Sequence, residues 1–413
     1  MWNAKDLIGS AASPDLQVRS SFQVLAAPLV TSNTRLQPSS TWANQSPLST
    51  SQPSTTAPFS PPPHRRPAAA ALATVAEIHS AFKTFGLFLL TESPTPSLAL
   101  TTELSGAFAK FYALPQEDKR ALDLRNGGWA WRGYMPFGGE GTKDKTDLKE
   151  GFYGGPEHTS HELGGLPTYG LNQFPDAQVP ELRELVLDFT ERITELGVVV
   201  CEAMTIALKL ERGYIKKKIL DKPNPVQLFR CFHYIAADDA KGGQFGIGEH
   251  SDFGLLTLLA QNGPGLQVLS PGGKWLDVPV IPGSFVVNVG DILDRLTSGL
   301  YVSPFHRAIP PAPGTDRISI PFFFDPAWNA EMVPFPLPPT TKSQIPEDAE
   351  KRWTRTTFRN LEGVWGQYLG VKVRKVFPDL VLPEFTAVAR ESTLHKLAVP
   401  QNAAPTIRGA IAV

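Results

Sequence analysis

The sequence predicts an α+β protein: an antiparallel barrel or two-sheet jelly roll flanked by helices, behind a disordered N-terminal tail. Three observations predict it. Thr31 to Pro67 is dominated by Ser, Thr, Pro and Gln without periodicity, so it cannot bury enough apolar surface to order itself. Residues 68–210 carry apolar side chains at helical spacing. After Pro223, short apolar runs broken by Gly, Pro, Asn and Asp recur as far as Pro339, the rhythm of an antiparallel barrel. Four segments follow: a tail over 1–67, a largely helical region over 68–210, the barrel over 211–340, and a closing helix and tail over 341–413.

"AAAALATVAEIHSAFKTFG" places Leu72, Val75, Ala76, Ile78 and Phe82 on one helical stripe, and Gly86 ends it. "LFLLTE" reads as a strand. A second helix is expected over Ser97 to Tyr112, and "ALPQEDKRAL" begins a third. Gly127 to Gly165, rich in glycine and aromatics, reads as loops over a face. Pro180 to Leu210 is the strongest helix, with Leu182, Leu185, Val186, Phe189, Ile193, Leu196, Val200, Ala203 and Ala207 on its stripe. The barrel strands are "VQLFRCFHYI", "GLLTLLAQ", "GLQVLS", "KWLDVPV", "SFVVNVG", "SPFHRAI" and "RISIPFFFD". A closing helix is expected over Thr357 to Leu369.

Bulk properties exclude several classes. The chain has 413 residues, enough for a sizeable core. A formal net charge of -1 gives no reason to expect a nucleic-acid partner. The two cysteines, Cys201 and Cys231, form no CxxC pair and cannot build a disulfide framework. No apolar run approaches a membrane span. No basic patch followed by an apolar core stands at the N-terminus, and Asp6 and Asp15 oppose reading Arg19 and Arg35 as a presequence. The expectation is a cytoplasmic monomer with a small-molecule substrate, no nucleic acid and no membrane.

The chemistry is concentrated in the barrel. In "GIGEHSDFGLLTLLAQN", His250 and Asp252 are two residues apart at the mouth of an apolar strand. Side chains at i and i+2 share a strand face, so both can meet one cation. A third ligand must come from another strand. Of the eight histidines, His306 in "SPFHRAI" lies in the barrel segment. Two histidines and a carboxylate leave open positions on an octahedral metal, the facial triad suited to non-haem Fe(II). A His-x-Asp triplet alone is as readily a hydrogen-bonded turn.

Arg317-x-Ser319 adds a second constraint. The two share a face in a strand that runs into "IPFFF". A guanidinium fork grips a carboxylate through two charge-assisted bonds, and a hydroxyl adds a third. An inward arginine among apolar residues needs an anion. That anion is either an internal Asp or Glu or a dicarboxylic co-substrate. Phe305, Phe322, Phe324 and Trp131 are candidate pocket walls, although aromatics near a barrel are more often core. Glu150 and Arg132 read as structural ion-pair partners.

From Gly248 to Ala308, "GEHSDFGLLTLLAQNGPGLQVLSPGGKWLDVPVIPGSFVVNVGDILDRLTSGLYVSPFHRA", and in "DRISIPFFFDP", the chain resembles the 2-oxoglutarate and Fe(II)-dependent dioxygenases of the isopenicillin N synthase-like superfamily. The likeness is continuous from about Gln227 to Pro326 and weaker upstream, through "FYALPQEDKRAL" and "RGYMPFGGEGTKDKTDLKEGF". It implies a double-stranded β-helix, the jelly roll of that family. It implies Fe(II) on His250, Asp252 and His306, with 2-oxoglutarate and O2 as co-substrates. Arg317 and Ser319 would hold the distal carboxylate of 2-oxoglutarate, and Tyr234 in "CFHYIA" matches a family tyrosine that reaches it. The implied reaction hydroxylates or desaturates a small organic molecule while 2-oxoglutarate becomes succinate and CO2. Retention of Asp252 argues against halogenation.

The chain departs from the family at Ile235, where a proline is usual, and at Glu92-Ser93-Pro94-Thr95, where Asn-His-Gly-Ile is frequent. The family's opening strand has "FQVLAAPLV" as its sole counterpart here. Two alternatives remain at this stage: an Fe(II) oxidase of the same fold that uses no 2-oxoglutarate, and a barrel that binds a small molecule without turnover. A zinc hydrolase on the same three ligands would leave Arg317-x-Ser319 without a purpose.

Overall fold

Alternating burial along a few strands divides this molecule into a helix-facing core and a cavity-facing interior. The structure is a computed structural model that describes residues 23–25, 68–142, 145–158, 167–221, 225–235, 245–355 and 361–376. The N-terminal portion comprises β1 (Gln23–Leu25), α1 (Ala68–Thr84), β2 (Leu87–Thr91), α2 (Leu98–Tyr112) and α3 (Gln116–Ala121). Then come β3 (Gly133–Met135), β4 (Gly141–Thr142), β5 (Lys145–Thr146), β6 (Glu150–Gly154) and the long helix α4 (Leu182–Ala207). The barrel portion runs through β7 (Pro225–Ile235), β8 (Ile247–His250), β9 (Leu256–Gln261), β10 (Leu266–Leu269), β11 (Trp275–Asp277) and β12 (Phe285–Val289). It continues through α5 (Asp291–Leu296), β13 (His306–Ala308) and β14 (Asp316–Ala327). The chain closes with α6 (Pro339–Lys342) and α7 (Trp365–Val376).

The strands form an eight-stranded major sheet, ordered β1-β2-β12-β9-β14-β7-β6-β3, and a four-stranded minor sheet, β11-β10-β13-β8. All their pairings are antiparallel, which is the predicted two-sheet jelly roll. β4 and β5 make a separate small hairpin.

On β14, Ile318, Ile320, Phe322 and Phe324 belong to the large core, while Arg317, Ser319, Pro321 and Phe323 face the cavity. α4 lies on that core, with Leu182, Val186, Phe189, Ile193, Leu196 and Val200 buried. Each such side chain stabilises the fold by roughly 1.5–3 kcal/mol. Gly197 permits a close approach: a Cβ there would stand 2.9 Å from the Phe324 ring. Gly86 ends the first helix at φ 73, and a Cβ there would collide with the Val302 carbonyl. Ser97 caps α2 by accepting from the Leu100 amide at 3.1 Å.

The structure corrects several expectations. The segment read as loops from Gly127 to Gly165 contains β3 and β6, and β6 pairs with β7 on the major sheet. Glycines at 133, 151 and 154 had hidden these strands. On α4, Ala203 and Ala207 are only half-buried, and Met204 and Leu208 take the core positions instead. The closing helix starts at Trp365, later than expected; Thr357 lies outside the described residues. From "FQVLAAPLV", Gln23–Leu25 pairs with β2. The rest of the expected tail, and residues after 376, also lie outside the described residues.

Candidate metal centre and co-substrate pocket

His250 ends β8 and His306 begins β13, and the two are direct cross-strand partners. Pairing sets the rings 4.2 Å apart, centroid to centroid. Asp252 follows β8 by two residues, and its Oδ1 lies 3.8 Å from His250 Nε2 and 3.7 Å from His306 Nε2. All three potential ligand atoms fall within 4.8 Å of one another. Among the described residues, this is the one group of His, Cys, Asp or Glu so arranged.

The supporting bonds prepare these atoms for a metal. His250 Nδ1 is 2.8 Å from the Gly248 carbonyl, and His306 Nδ1 is 3.2 Å from the Pro304 carbonyl. A carbonyl only accepts, so each Nδ1 carries a proton, and in the neutral ring this leaves the lone pair on Nε2. Asp252 Oδ2 accepts from Thr257 Oγ1 at 2.5 Å and Asn288 Nδ2 at 2.8 Å, which leaves Oδ1 toward the imidazoles. Burial, then the neighbouring His306, hold His250 below its ordinary value, which keeps it neutral. Burial alone would raise Asp252, but His306, His250 and the two hydrogen bonds carry it below the usual range. Neutral imidazoles and an ionised carboxylate are the forms a metal takes.

Arg317, Ser319 and Tyr234 meet across the β14–β7 pairing, where Arg317 opposes Tyr234. The guanidinium is 2 % exposed and stacks 4.8 Å over the Tyr234 ring. Its Nε donates to the Gly263 carbonyl and its Nη2 to Gln261 Oε1, both at 3.1 Å. Nη1 has no partner among the described residues. Tyr234 Oη and Ser319 Oγ are 3.2 Å apart. No carboxylate pairs with Arg317 among the described residues, so the internal salt bridge considered from sequence is absent there. An unmatched buried cation beside two hydroxyls fits the carboxylate end of a dicarboxylate.

Two cavities meet at the triad. An inner one lies between the sheets and carries all six predicted site residues. Its remaining walls are mostly apolar, including Leu259, Val268 and Val286. An outer, wider cleft shares His250, Asp252, Phe232, Ile247 and Phe323 with it. Trp131 and Phe305 line the outer cleft, whereas Phe322 and Phe324 are core. Glu150 is structural, as expected, bonded to Lys119, Tyr134 and His233. Arg132 is buried and donates to the Thr168 carbonyl at 2.8 Å.

Residues 225–326 match the 2OG-Fe(II) oxygenase superfamily, and residues 59–177 match a family described as non-haem dioxygenase in morphine synthesis N-terminal. A Dictyostelium discoideum protein described as a probable iron/ascorbate oxidoreductase is 35% identical over 74% of this chain and 89% of its own. The chain belongs to the 2OG-Fe(II) oxygenase superfamily. A solved structure of a family member from Caulobacter crescentus superposes with TM-score 0.61 and 27% identity, covering 75% of this chain and 96% of that one. A full-length Neurospora crassa protein, solved in complex with alpha-KG (2-oxoglutarate), superposes with TM-score 0.59 and 25% identity, covering 76% and 92%.

This 2OG-Fe(II) oxygenase is therefore a 2-oxoglutarate-dependent oxidoreductase of small molecules that uses Fe(II), 2-oxoglutarate and O2. Sequence reading missed Thr257 and Asn288 as supports of Asp252. Asn288 stood in plain view as the one polar side chain within the apolar run "FVVNV". It also missed the continuity of the two cavities, which no local pattern encodes.

Proposed function

We propose that His250, Asp252 and His306 bind Fe(II), and that Arg317, Ser319 and Tyr234 hold the distal carboxylate of 2-oxoglutarate in the inner cavity. A small organic molecule in the outer cleft is then hydroxylated or desaturated. The observation that carries this reading is the buried Arg317, with an unpartnered Nη1, in the same cavity as three converging ligand atoms. The chemistry supplied when both are bound is oxidative decarboxylation of 2-oxoglutarate to succinate and CO2, coupled to oxidation of a substrate C–H bond.

The chain's own residues prepare for this. The backbone carbonyls of Gly248 and Pro304 fix the histidine tautomers. Thr257 and Asn288 orient the carboxylate. The apolar inner walls exclude water and strengthen the Arg317 charge. Phe232 and Phe323, on the walls of both cavities, limit how the two ligands approach each other. We also infer a monomer in the cytoplasm; two free, buried cysteines support a reducing compartment, and cell fractionation with size-exclusion chromatography tests both points.

The test is anaerobic absorbance of Fe(II)-loaded protein titrated with 2-oxoglutarate. A saturable charge-transfer band is expected in the wild type. Arg317→Ala is expected to need roughly 30- to 100-fold more co-substrate, the loss of a charge-assisted contact. No band in folded, iron-loaded wild type would sink the assignment.

A further inference from the structure

The outer cleft contains a buried cation with no carboxylate in direct contact among the described residues; Glu140 and Asp325 act on it only from beyond ion-pair distance. Arg230 lies on β7 on the same face as Tyr234 and Phe232, because strand side chains repeat every second residue. At about 3.3 Å per residue, it stands roughly 7 Å beyond Phe232, the ring shared by the two cavities. It is 3 % exposed and lines the outer cleft. Its guanidinium is sandwiched between aromatic rings, 4.0 Å from Tyr153 and 4.6 Å from Trp131. Nη1 donates to the Phe229 carbonyl at 2.8 Å. Nη2 has no hydrogen-bond partner, and no carboxylate comes within ion-pair distance, among the described residues.

Two carboxylates of the cleft face another cation: Lys149 contacts Glu140 at 2.8 Å and Asp147 at 3.6 Å. Arg132, also buried, adds a second positive charge behind Arg230, and its Nε and Nη1 likewise lack partners. Burial first, then the repulsion from Arg230, pulls Arg132 down to about 9, while burial brings Arg230 to about 10. Both remain charged at neutral pH. Ring stacking satisfies the faces of a guanidinium but not its edge donors, and an unmatched buried donor is unfavourable by about 1–3 kcal/mol or more when charged.

We propose that Arg230 anchors the organic substrate by pairing with a carboxylate, so that this enzyme acts on small organic acids. The proposal rests on the reading of the triad and the inner cavity given above. The acid's carboxylate binds at Arg230 and its carbon frame extends toward the wall shared with His250 and Asp252. Arg230 is thus a substrate-binding, specificity-determining residue, separate from the Arg317 that serves the co-substrate.

The experiment is anaerobic calorimetric titration of protein preloaded with Fe(II) and saturating 2-oxoglutarate, so that the Arg317 site is filled. The probes are benzoate, phenylacetate, hydrocinnamate and hexanoate, each beside its primary amide. At least one acid is expected to bind about tenfold or more tightly than its own amide, the worth of a charge-assisted pair. Arg230→Gln is expected to abolish that preference while the 2-oxoglutarate charge-transfer band saturates at an unchanged concentration. The proposal is overturned if no acid outbinds its amide in the wild type, or if the preference survives in Arg230→Gln. Should that variant fail to fold, Arg230→Lys takes its place: weaker acid binding with unaltered amide binding supports the proposal, and unaltered acid binding overturns it. A missing 2-oxoglutarate band beside an intact acid preference would fault the co-substrate assignment instead.

Discussion

Asp252 shows how much of a metal site lies outside its ligands. Its Oδ2 is held by Thr257 and Asn288, from β9 and β12, and only then does Oδ1 face the imidazoles. Asn288→Leu keeps the volume and removes one donor, so Fe(II) affinity is expected to fall about 10- to 100-fold. Competition with a chromophoric chelator measures it, and unchanged affinity would show that Thr257 suffices. His233 carries a pH dependence of stability. Burial lowers its pKa, but hydrogen bonds to Glu150 at 2.8 Å and Asp316 at 3.2 Å raise it more, and the net shift is upward. A raised folded value means that the protonated form is the stabilised one. The contribution is complete below the unfolded value of about 6.5 and is lost as pH rises through the folded value. His233→Gln is therefore expected to destabilise most at acidic pH and progressively less as the pH rises above the unfolded value. Denaturant midpoints across pH decide it; a constant difference would be the contrary result.

Among the elements, α4 and β14 are most closely fitted. Two effects compete at Gly197. Alanine improves helix propensity by about 0.8–1 kcal/mol, but its Cβ would sit 2.9 Å from the ring of Phe324, itself fully buried. Overpacking of a filled core costs about 1–3 kcal/mol. Because Phe324 is enclosed on a central strand, the steric effect wins, and Gly197→Ala is expected to destabilise by about 1 kcal/mol net. A stabilised variant in a denaturation curve would mean that the ring can yield. β14 itself divides labour by its period of two, with odd positions 317 to 323 facing the cavity and even positions 318 to 324 facing the helices. One strand thereby serves stability and co-substrate recognition without compromise between them.

Across the whole molecule, the two sheets contribute different halves of the chemistry. The two histidines belong to the minor sheet, and Arg317, Ser319 and Tyr234 to the major sheet. A ligand that touches metal and arginine together therefore bridges the sheets. Fe(II) with 2-oxoglutarate at about 100 times its dissociation constant is expected to stabilise the fold by about 2.7 kcal/mol beyond Fe(II) alone. Removing the metal with EDTA should erase most of that gain in a thermal melt, because the co-substrate then reaches only one sheet firmly. Equal stabilisation with and without metal would place the co-substrate away from the triad.

Local alternation was enough to pair His250 with Asp252 and Arg317 with Ser319, since a shared strand face follows from spacing two residues apart. Helical stripes located α1, α2 and α4 for the same reason. The strands β3 and β6 were not legible, because glycine and aromatic residues in a short stretch carry no clear period. Arg230 carries no local signal, since one charge in an apolar strand ordinarily faces solvent. That it lines a cleft and contacts no carboxylate directly among the described residues is decided by which strands close over it. His306 is the partner of His250 by cross-strand register, not by any feature of its own neighbourhood. Spacing along the chain dictates which side chains share a face. What each face meets follows from pairings between segments far apart in sequence, and those pairings exist only once the chain has folded.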